Sequence, residues 1–337
     1  MHRASEIWRL HITGLFMSVT LACAAPAAFA QPLPASASRA DASAAGAPRT
    51  FSDCPDCPTM VVVPGGVAML GSMPEERARA GIVPVFGDRE APARSVTFAK
   101  PYAIGQTEVT RAQYQVFVDA TKRADPATCG VHEPKGDTWS PQPGYNWRKP
   151  GFAQEDNHPV VCVSYDDAAA YAQWLSKRTG KAYRLPSDSE WEYAARSGAA
   201  TPWYWGEAPE AGCAGANILS TGTAAKLGWP NSLANRFICS SPRSFTVPVA
   251  SYAANPWGIY DMVGNAFEWA ADCNAPDNSS APADGSARVT GDCARHYLKG
   301  GAFHTPFWLT RHAVRGAPLA SDIHMFAVGL RVARSMD

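Results

Sequence analysis

The sequence predicts an irregular α+β domain with disulfide-held loops, and three observations predict it. Helix signals that begin with capping residues are confined to the first 200 positions of the chain. The chain holds 27 glycines and 28 prolines, which favour turns and short strands elsewhere. It also holds nine cysteines, eight of them after residue 50. With 337 residues, 46% of them hydrophobic, the chain is long enough to bury a sizeable core.

The first elements that the sequence predicts along the folded domain are two strands and a helix. Residues 60–63 (MVVV) form a buried apolar run, and residues 94–99 alternate as a half-buried strand does. Thr110 and Gln113 have capping-box spacing, which predicts a helix start. This helix would place Tyr114 and Phe117 on its buried face.

The clearest signals for helices and their caps lie between residue 158 and residue 196. Residues 160–163 predict a short strand, and Ser164 is a predicted N-cap of a helix that ends at Gly180. Ser187 and Glu190 form a second capping box, and Gly198 ends the helix that it starts. After residue 200 no convincing helix is expected, only short strands and turns.

The balance of charge excludes one class of partner. Only 18% of the residues are charged, and the formal net charge is zero. No basic run is present, and phosphate binding needs a positive patch. A nucleic-acid partner is therefore not expected.

Residues 1–30 are a predicted signal peptide, which implies a periplasmic or secreted protein. Arg3 and Arg9 precede an apolar stretch, and residues 28–30 (AFA) fit the A-x-A cleavage rule. Lipid attachment at Cys23 is the alternative to cleavage.

Residues 31–50 are a predicted disordered linker, because this Ala-, Ser- and Pro-rich stretch cannot bury a core. The folded domain is expected over residues 51–337. Pro26 and the alanine-rich end of the apolar stretch argue against a permanent span. No transmembrane helix is therefore expected in the mature chain.

An even number of cysteines in an exported protein predicts disulfides. The cysteines after the signal peptide are Cys54, Cys57, Cys129, Cys162, Cys213, Cys239, Cys273 and Cys293. Eight cysteines allow on the order of a hundred pairings. Nearest-neighbour pairing (54–57, 129–162, 213–239, 273–293) is the economical prediction. A zinc site at Cys54 and Cys57 is the alternative, although no second close Cys or His pair completes it.

Several sequence blocks, taken in chain order, resemble the formylglycine-generating enzyme family, also called the sulfatase-modifying-factor family. They are the stretches at 57–72, 104–114, 158–196, 258–269, 299–303 and 328–334. The resemblance covers about residues 54 to 335. It implies a single domain with the family fold, an irregular variant related to C-type lectin folds.

The resemblance implies three possible kinds of activity. Family oxidases convert a sulfatase cysteine to formylglycine with copper and O2. Iron-dependent sulfoxide synthases carry an added helical domain, which this sequence lacks. A third group is periplasmic and acts in siderophore maturation.

The segment KGGAFHTPFWLTR (299–311) departs from the copper oxidases. In these, a serine follows the double glycine, and two cysteines hold Cu(I) as thiolates. The matching positions here are Ala302, Thr305 and Thr310. Because Cu(I) prefers soft thiolates to hydroxyls, formylglycine generation is not expected. The segment is predicted to keep its structure with altered chemistry.

Histidines offer one replacement for the lost thiols. His304 lies where the family places its chemistry, and His312 and His324 follow it, with Asp322 close to His324. Two histidines and a carboxylate make a non-haem iron triad. The sequence does not show that these side chains converge, and hydrogen-bonded loop histidines are the alternative. The redox metal, iron or copper, is left undefined.

Arginine and aromatic side chains are further candidates. Arg311 and Arg315 are expected near the floor of the family's cleft, where guanidinium groups bind carboxylates. Trp308 and Phe307 are candidates to line a groove for an extended peptide or a flat ligand. Core packing is the alternative for both sets. Arg331 is expected to be a buried partner of a carboxylate.

The resemblance also implies a structural calcium ion. Its ligand positions would be Asp261, Gly264, Ala266 and Glu268. Carboxylates with main-chain carbonyls suit this oxygen-seeking cation. The alternative is that the two acids serve as turn and salt-bridge residues. A second family calcium site near Asn217 is not expected, because Ser241 stands where an acid is needed.

Two functions follow from these observations. The first is oxidative tailoring of a peptide or small substrate in the periplasm, with siderophore maturation as the closest analogy. The catalytic positions would be His304, Arg311, Trp308, Thr305 and Thr310. The alternative is a non-catalytic, calcium-stabilised binding module.

Overall fold

The computed structural model describes residues 47–79, 88–132, 139–229 and 239–336, which belong to one compact unit. The predicted signal peptide, the alternative lipid site at Cys23 and most of the linker lie outside these residues. Across the described ranges, no helix is both long and apolar enough to cross a membrane.

The helices of the described residues are short. They are α1 (Pro74–Arg79), α2 (Arg111–Thr121), α3 (Tyr165–Thr179), α4 (Asp188–Arg196), α5 (Gly212–Gly215) and α6 (Thr221–Leu227). Single 3-10 turns lie at Asp88–Glu90, Pro209–Ala211 and Phe307–Leu309.

Five strands form one antiparallel sheet in the order β1-β2-β5-β13-β8. They are β1 (Thr50–Phe51), β2 (Met60–Val63), β5 (Tyr102–Gly105), β8 (Tyr183–Arg184) and β13 (Ala333–Ser335). The last strand of the chain therefore pairs with strands from its first half.

A second sheet has the order β11-β10-β9-β12, in which only β9 and β12 are parallel. Its strands are β9 (Phe267–Asn274), β10 (Asp292–Lys299), β11 (Leu319–Ala320) and β12 (Val328–Gly329). Two antiparallel pairs complete the strands of the described residues: β3 (Gly66–Leu70) with β4 (Arg94–Phe98), and β6 (Thr128–His132) with β7 (Trp139–Pro143).

The predicted capping residues all cap helices. Thr110, Ser164 and Ser187 each accept a hydrogen bond from the backbone N–H three residues on, and each belongs to a capping box. Gly180 is the left-handed C-cap of α3, whereas the C-cap of α4 is Ser197, one residue before the predicted Gly198. These local signals need no tertiary contact, which explains their success.

Two sequence predictions are wrong. Residues 160–163 form no strand, because Cys162 adopts a φ of 59°, which breaks an extended run. Helices do occur after residue 200, namely α5 and α6. Ser220 caps α6 through the N–H of Thr223, and Gly228 ends it. The helix has seven residues, too few to show a clear apolar period.

The predicted disulfide pairing is confirmed. The four bonds are Cys54–Cys57, Cys129–Cys162, Cys213–Cys239 and Cys273–Cys293. The bond between the first two cysteines also excludes the zinc alternative, since bonded sulfurs are not thiolate ligands.

The largest hydrophobic cluster connects α2 and α3 to the second sheet. It contains Tyr114, Tyr171, Trp269, Phe303 and Phe326, all buried. Its end at Phe303 adjoins the segment that begins with the double glycine. The core therefore fixes the backbone of the candidate site.

Candidate functional site

The double glycine makes a turn at the end of β10. Gly300 and Gly301 have φ values of 84° and 79°, which favour glycine. A Cβ on Gly301 would lie 2.8 Å from Thr310 Cγ2 and 3.3 Å from Thr305 Cγ2. Thr305 and Thr310 therefore face the same point, although they are five positions apart.

Both threonine hydroxyls are used within the loop. Thr305 Oγ1 accepts a hydrogen bond from the N–H of Ala302 at 2.9 Å. Thr310 Oγ1 donates to the carbonyl of Phe307 at 2.7 Å and accepts from Trp203 Nε1 at 3.2 Å. Both side chains are buried. The two positions thus hold the loop together and present no thiol.

His304 lies inside an aromatic box. The rings that form the box have centroids 5.1 to 6.4 Å from the imidazole and belong to Trp139, Trp229, Phe267, Phe303 and Phe326. The side chain is partly exposed, yet its Nδ1 atom is buried and has no hydrogen-bond partner among the described residues. The box therefore surrounds a polar atom that is left unsatisfied.

The surroundings keep His304 neutral. Burial, and to a smaller extent the nearby His132, lower the pKa of His304 to about 3. His132 is bound to the box, because Trp229 Nε1 donates to His132 Nε2 at 2.6 Å. At neutral pH the His304 imidazole can donate or accept a hydrogen bond but carries no charge.

Arg311 is bound inside the protein. Its guanidinium donates to Glu76 and Glu90, both at 2.7 Å, and its Nε donates to the carbonyl of Trp308 at 3.0 Å. Only 2% of Arg311 is exposed. These contacts match the packing alternative. Trp308 itself is partly exposed on a 3-10 turn.

Arg315 is likewise buried, and its Nε donates to Asp188 at 2.9 Å. The prediction for Arg331 as a carboxylate partner is met, since Arg331 Nη2 lies 2.6 Å from Glu268 Oε1. The cleft arginines therefore act as internal ion-pair partners in this structure.

The three C-terminal histidines have different partners. His324 Nε2 lies 2.8 Å from Asp167 Oδ2, while His312 is fully buried beside Tyr204. Burial lowers the pKa of His312 well below its usual value, as do Arg196 and Lys299. Within the described ranges, no three His, Cys, Asp or Glu side chains are grouped to hold a metal.

The predicted calcium positions lie on the connection into β9 and, for Glu268, in the first part of β9 itself. Both oxygens of Glu268 are engaged, because Arg331 and Trp191 Nε1 donate to them at 2.6 to 3.0 Å. Asp261 Oδ2 accepts from the N–H of Ala250 at 2.7 Å. Sequence reasoning missed Glu108, a buried acid that interacts electrostatically with Asp261. In the sequence, Glu108 stands out only as an acid within residues 104–114, one of the blocks that resemble the family.

A separate surface cavity of about 760 Å³ lies between α3, β8 and β13. Tyr102, Tyr165 and Tyr183 are among the residues that line it. The hydroxyls of these tyrosines donate to Glu190 O, Ala271 O and Asp53. This cavity is distinct from the aromatic box, and nothing in its lining identifies a ligand.

The sequence and the fold of this chain match those of known proteins. The family model for the sulfatase-modifying factor enzyme 1-like domain matches residues 46–336. The chain belongs to the formylglycine-generating enzyme family. The formylglycine-generating enzyme of Streptomyces coelicolor is 31% identical over 301 residues, 82% of this chain and 86% of that protein.

Two further proteins are similar to this chain over most of its length. PvdO from Pseudomonas aeruginosa superposes with a TM-score of 0.67 at 33% identity, covering 87% of this chain and all of PvdO. The mouse protein named inactive C-alpha-formylglycine-generating enzyme 2 is 31% identical over 246 residues, 65% of this chain and 70% of that protein. The α+β family fold predicted from the sequence is thus confirmed.

Proposed function

We propose that this protein is exported and tailors a peptide or small substrate by oxidation, with His304 contacting the substrate. One observation carries the proposal. At the place where the family's copper oxidases hold their metal, this chain has an unsatisfied imidazole nitrogen inside an aromatic box. Buried polar atoms are normally paired, and exceptions gather at functional sites.

The site supports binding of a flat, uncharged group. The box provides aromatic faces that pack against a planar ring. The neutral His304 can pair with a hydroxyl, an amide or a ring nitrogen of the substrate. Trp308 lies close to His304 in sequence and is partly exposed. We propose that it extends the surface that contacts the substrate.

An oxidation of this kind removes two hydrogens from the substrate and needs an electron acceptor. Dioxygen, the oxidant of the family's oxidases, is the proposed acceptor, and it would be reduced to hydrogen peroxide. The described residues around His304 do not present a full donor set for iron or copper.

Export is supported by the four disulfides, which form and persist in oxidising compartments. It is also supported by the predicted signal peptide.

The proposal is tested by comparing extracts of a deletion strain that carries either the wild type, His304→Ala or His324→Gln. Mass spectrometry should find a compound that wild-type protein makes lighter by two hydrogens. His324→Gln, which changes a histidine paired with Asp167, is the control and should restore this product. His304→Ala should not. Full conversion by a folded His304→Ala protein would overturn the role of His304.

A binding module is the second candidate. Buried threonine hydroxyls at both copper-ligand positions favour it, as does the likeness to a family member named inactive. For this candidate, no compound in the extracts would change mass. A ligand would instead bind to wild-type protein and be lost with His304→Ala.

A further inference from the structure

The Cys54–Cys57 bond closes a turn that backbone hydrogen bonds already hold. The turn connects β1 to β2, and the N–H of Cys57 donates to the carbonyl of Cys54 at 3.1 Å. Beside it, β1 and β2 pair in antiparallel register, and the N–H of Val62 donates to the carbonyl of Arg49 at 2.9 Å. A disulfide across so short a loop adds less stability than one across a long loop. The chain is therefore expected to keep its fold when this bond opens.

The acids beside the two cysteines are neutralised by arginines. Asp56 Oδ1 lies 3.5 Å from the Sγ atom of Cys54, and it also accepts a hydrogen bond from Arg178 on α3. Asp53 is paired with Arg334 of β13 at 3.1 Å. A thiolate that approaches Cys54 is an anion, and an unpaired carboxylate there would repel it. The two ion pairs remove most of this repulsion.

The two cysteines differ in their access to solvent. Only 6% of Cys57 is exposed, and it belongs to the largest hydrophobic cluster. Cys54 packs at the edge of the same cluster and is partly exposed. In the Cys129–Cys162 bond, by contrast, both cysteines are fully buried. Exchange requires that a thiol reach the attacked sulfur, and exposed disulfides are the labile ones. Cys54 is therefore the cysteine that a thiol can reach.

The surface around the turn favours a small thiol over the thiol of another protein. None of the large hydrophobic side chains that are exposed in the described residues belongs to this turn. Its surroundings are the two ion pairs and the exposed Pro55. A stable protein interface normally has an apolar centre, which this surface does not offer. A small thiol needs contact with the sulfur alone.

We propose that the Cys54–Cys57 disulfide exchanges with low-molecular-weight thiols and that Cys54 is the attacked residue. A thiolate RS⁻ forms a bond to Cys54 Sγ while the bond to Cys57 breaks. The electron pair of that bond leaves on the Cys57 sulfur, which takes a proton from water. A second thiolate then attacks the RS sulfur, which releases RSSR and the thiolate of Cys54. Two thiols are thereby oxidised and the chain is reduced to a dithiol, and RSSR drives the reverse reaction.

The first experiment uses the mature full-length chain in glutathione buffers that range from oxidised to reduced, without denaturant. Alkylation followed by peptide mass spectrometry identifies the bonds that have opened. Cys54–Cys57 should open at glutathione ratios at which the buried Cys129–Cys162 bond stays closed, and circular dichroism should show that the fold is kept. A Cys54–Cys57 bond that stays closed until the fold is lost overturns the proposal. The measurement needs no substrate and is independent of His304.

Cys57→Ser and Cys54→Ser form a matched pair, because each lacks the bond and keeps one of the two thiols. With oxidised glutathione, Cys54 in the first variant should be modified at least about tenfold faster than the buried Cys57 in the second. Denaturant unfolding checks that both variants are folded. If one is not, the wild type reduced at this bond is alkylated instead, and Cys54 should react first. Equal rates at the two cysteines of folded protein refute the assignment of Cys54.

Discussion

Replacing Gly301 by alanine tests whether the loop at the candidate site depends on a close approach to Thr310. Gly301 has a φ of 79°, where a side chain costs roughly 1–2 kcal/mol. The added Cβ would also lie 2.8 Å from Thr310 Cγ2 and 3.3 Å from Thr305 Cβ. Overpacking of this kind costs about 1–3 kcal/mol. We expect Gly301→Ala to lower the free energy of unfolding by about 2–5 kcal/mol.

Gly144 provides a matched control. Its φ is 78°, nearly that of Gly301, but a Cβ there would meet nothing within 4 Å. Gly144→Ala should therefore show the backbone cost alone, about 1–2 kcal/mol. The difference between the two variants measures the contact with the threonines.

The assay is denaturant unfolding with the disulfides intact, followed by tryptophan fluorescence. A second substitution, Thr310→Ser, removes the methyl group that the new Cβ would strike and keeps the hydroxyl. In the Gly301→Ala background it should recover part of the loss, which a double-mutant cycle measures. Equal costs at Gly301 and Gly144, with no recovery from Thr310→Ser, would refute the argument.

Two further predictions concern stability. The folded state lowers the pKa of His304 from 6.5 to about 3, so the unfolded state binds the extra proton between these values. Stability from this group is present above pH 6.5 and falls with decreasing pH, by about 1 kcal/mol per unit. His304→Phe should show a flatter decline between pH 6.5 and 4.5 in denaturant unfolding, and an unchanged slope would contradict a neutral His304. Removing Cys129–Cys162 should cost about 2 kcal/mol more than removing Cys54–Cys57, because the sequence separations are 33 and 3. Paired Cys→Ala variants compared by thermal unfolding check this, and equal losses would count against the loop-length argument.

The predictions from the sequence were correct where the structural signal lies within a short stretch of the chain. Ser164, Ser187 and Thr110 cap helices through bonds to residues three positions away, so the pattern is complete within a short stretch. The disulfide pairing also followed chain order, which joins cysteines that are near neighbours in sequence. The family resemblance supplied the fold, which no periodicity in the irregular second half could show.

Contacts between segments that are far apart along the chain could not be predicted from the sequence. The aromatic box takes Trp139 and Trp229 from two separate regions, and neither was a candidate. Glu108 interacts electrostatically with Asp261 across more than a hundred positions of sequence, so no local pattern could group the two residues. Arg311 looked available for a substrate, but Glu76 and Glu90 reach it from the first part of the domain.

Under the proposed export, the Cys129–Cys162 bond would link the compartment of the protein to the formation of the proposed ligand site. Cys129 lies on β6, whose hairpin partner β7 begins with Trp139, one wall of the aromatic box. The bond ties this hairpin to the segment that leads into α3. In a reducing cytoplasm the hairpin would lack that tie, and the box would lose the anchor of one wall. If the protein is exported as proposed, a chain that still awaits export is expected to bind the proposed ligand poorly, which would delay function until the protein reaches an oxidising compartment.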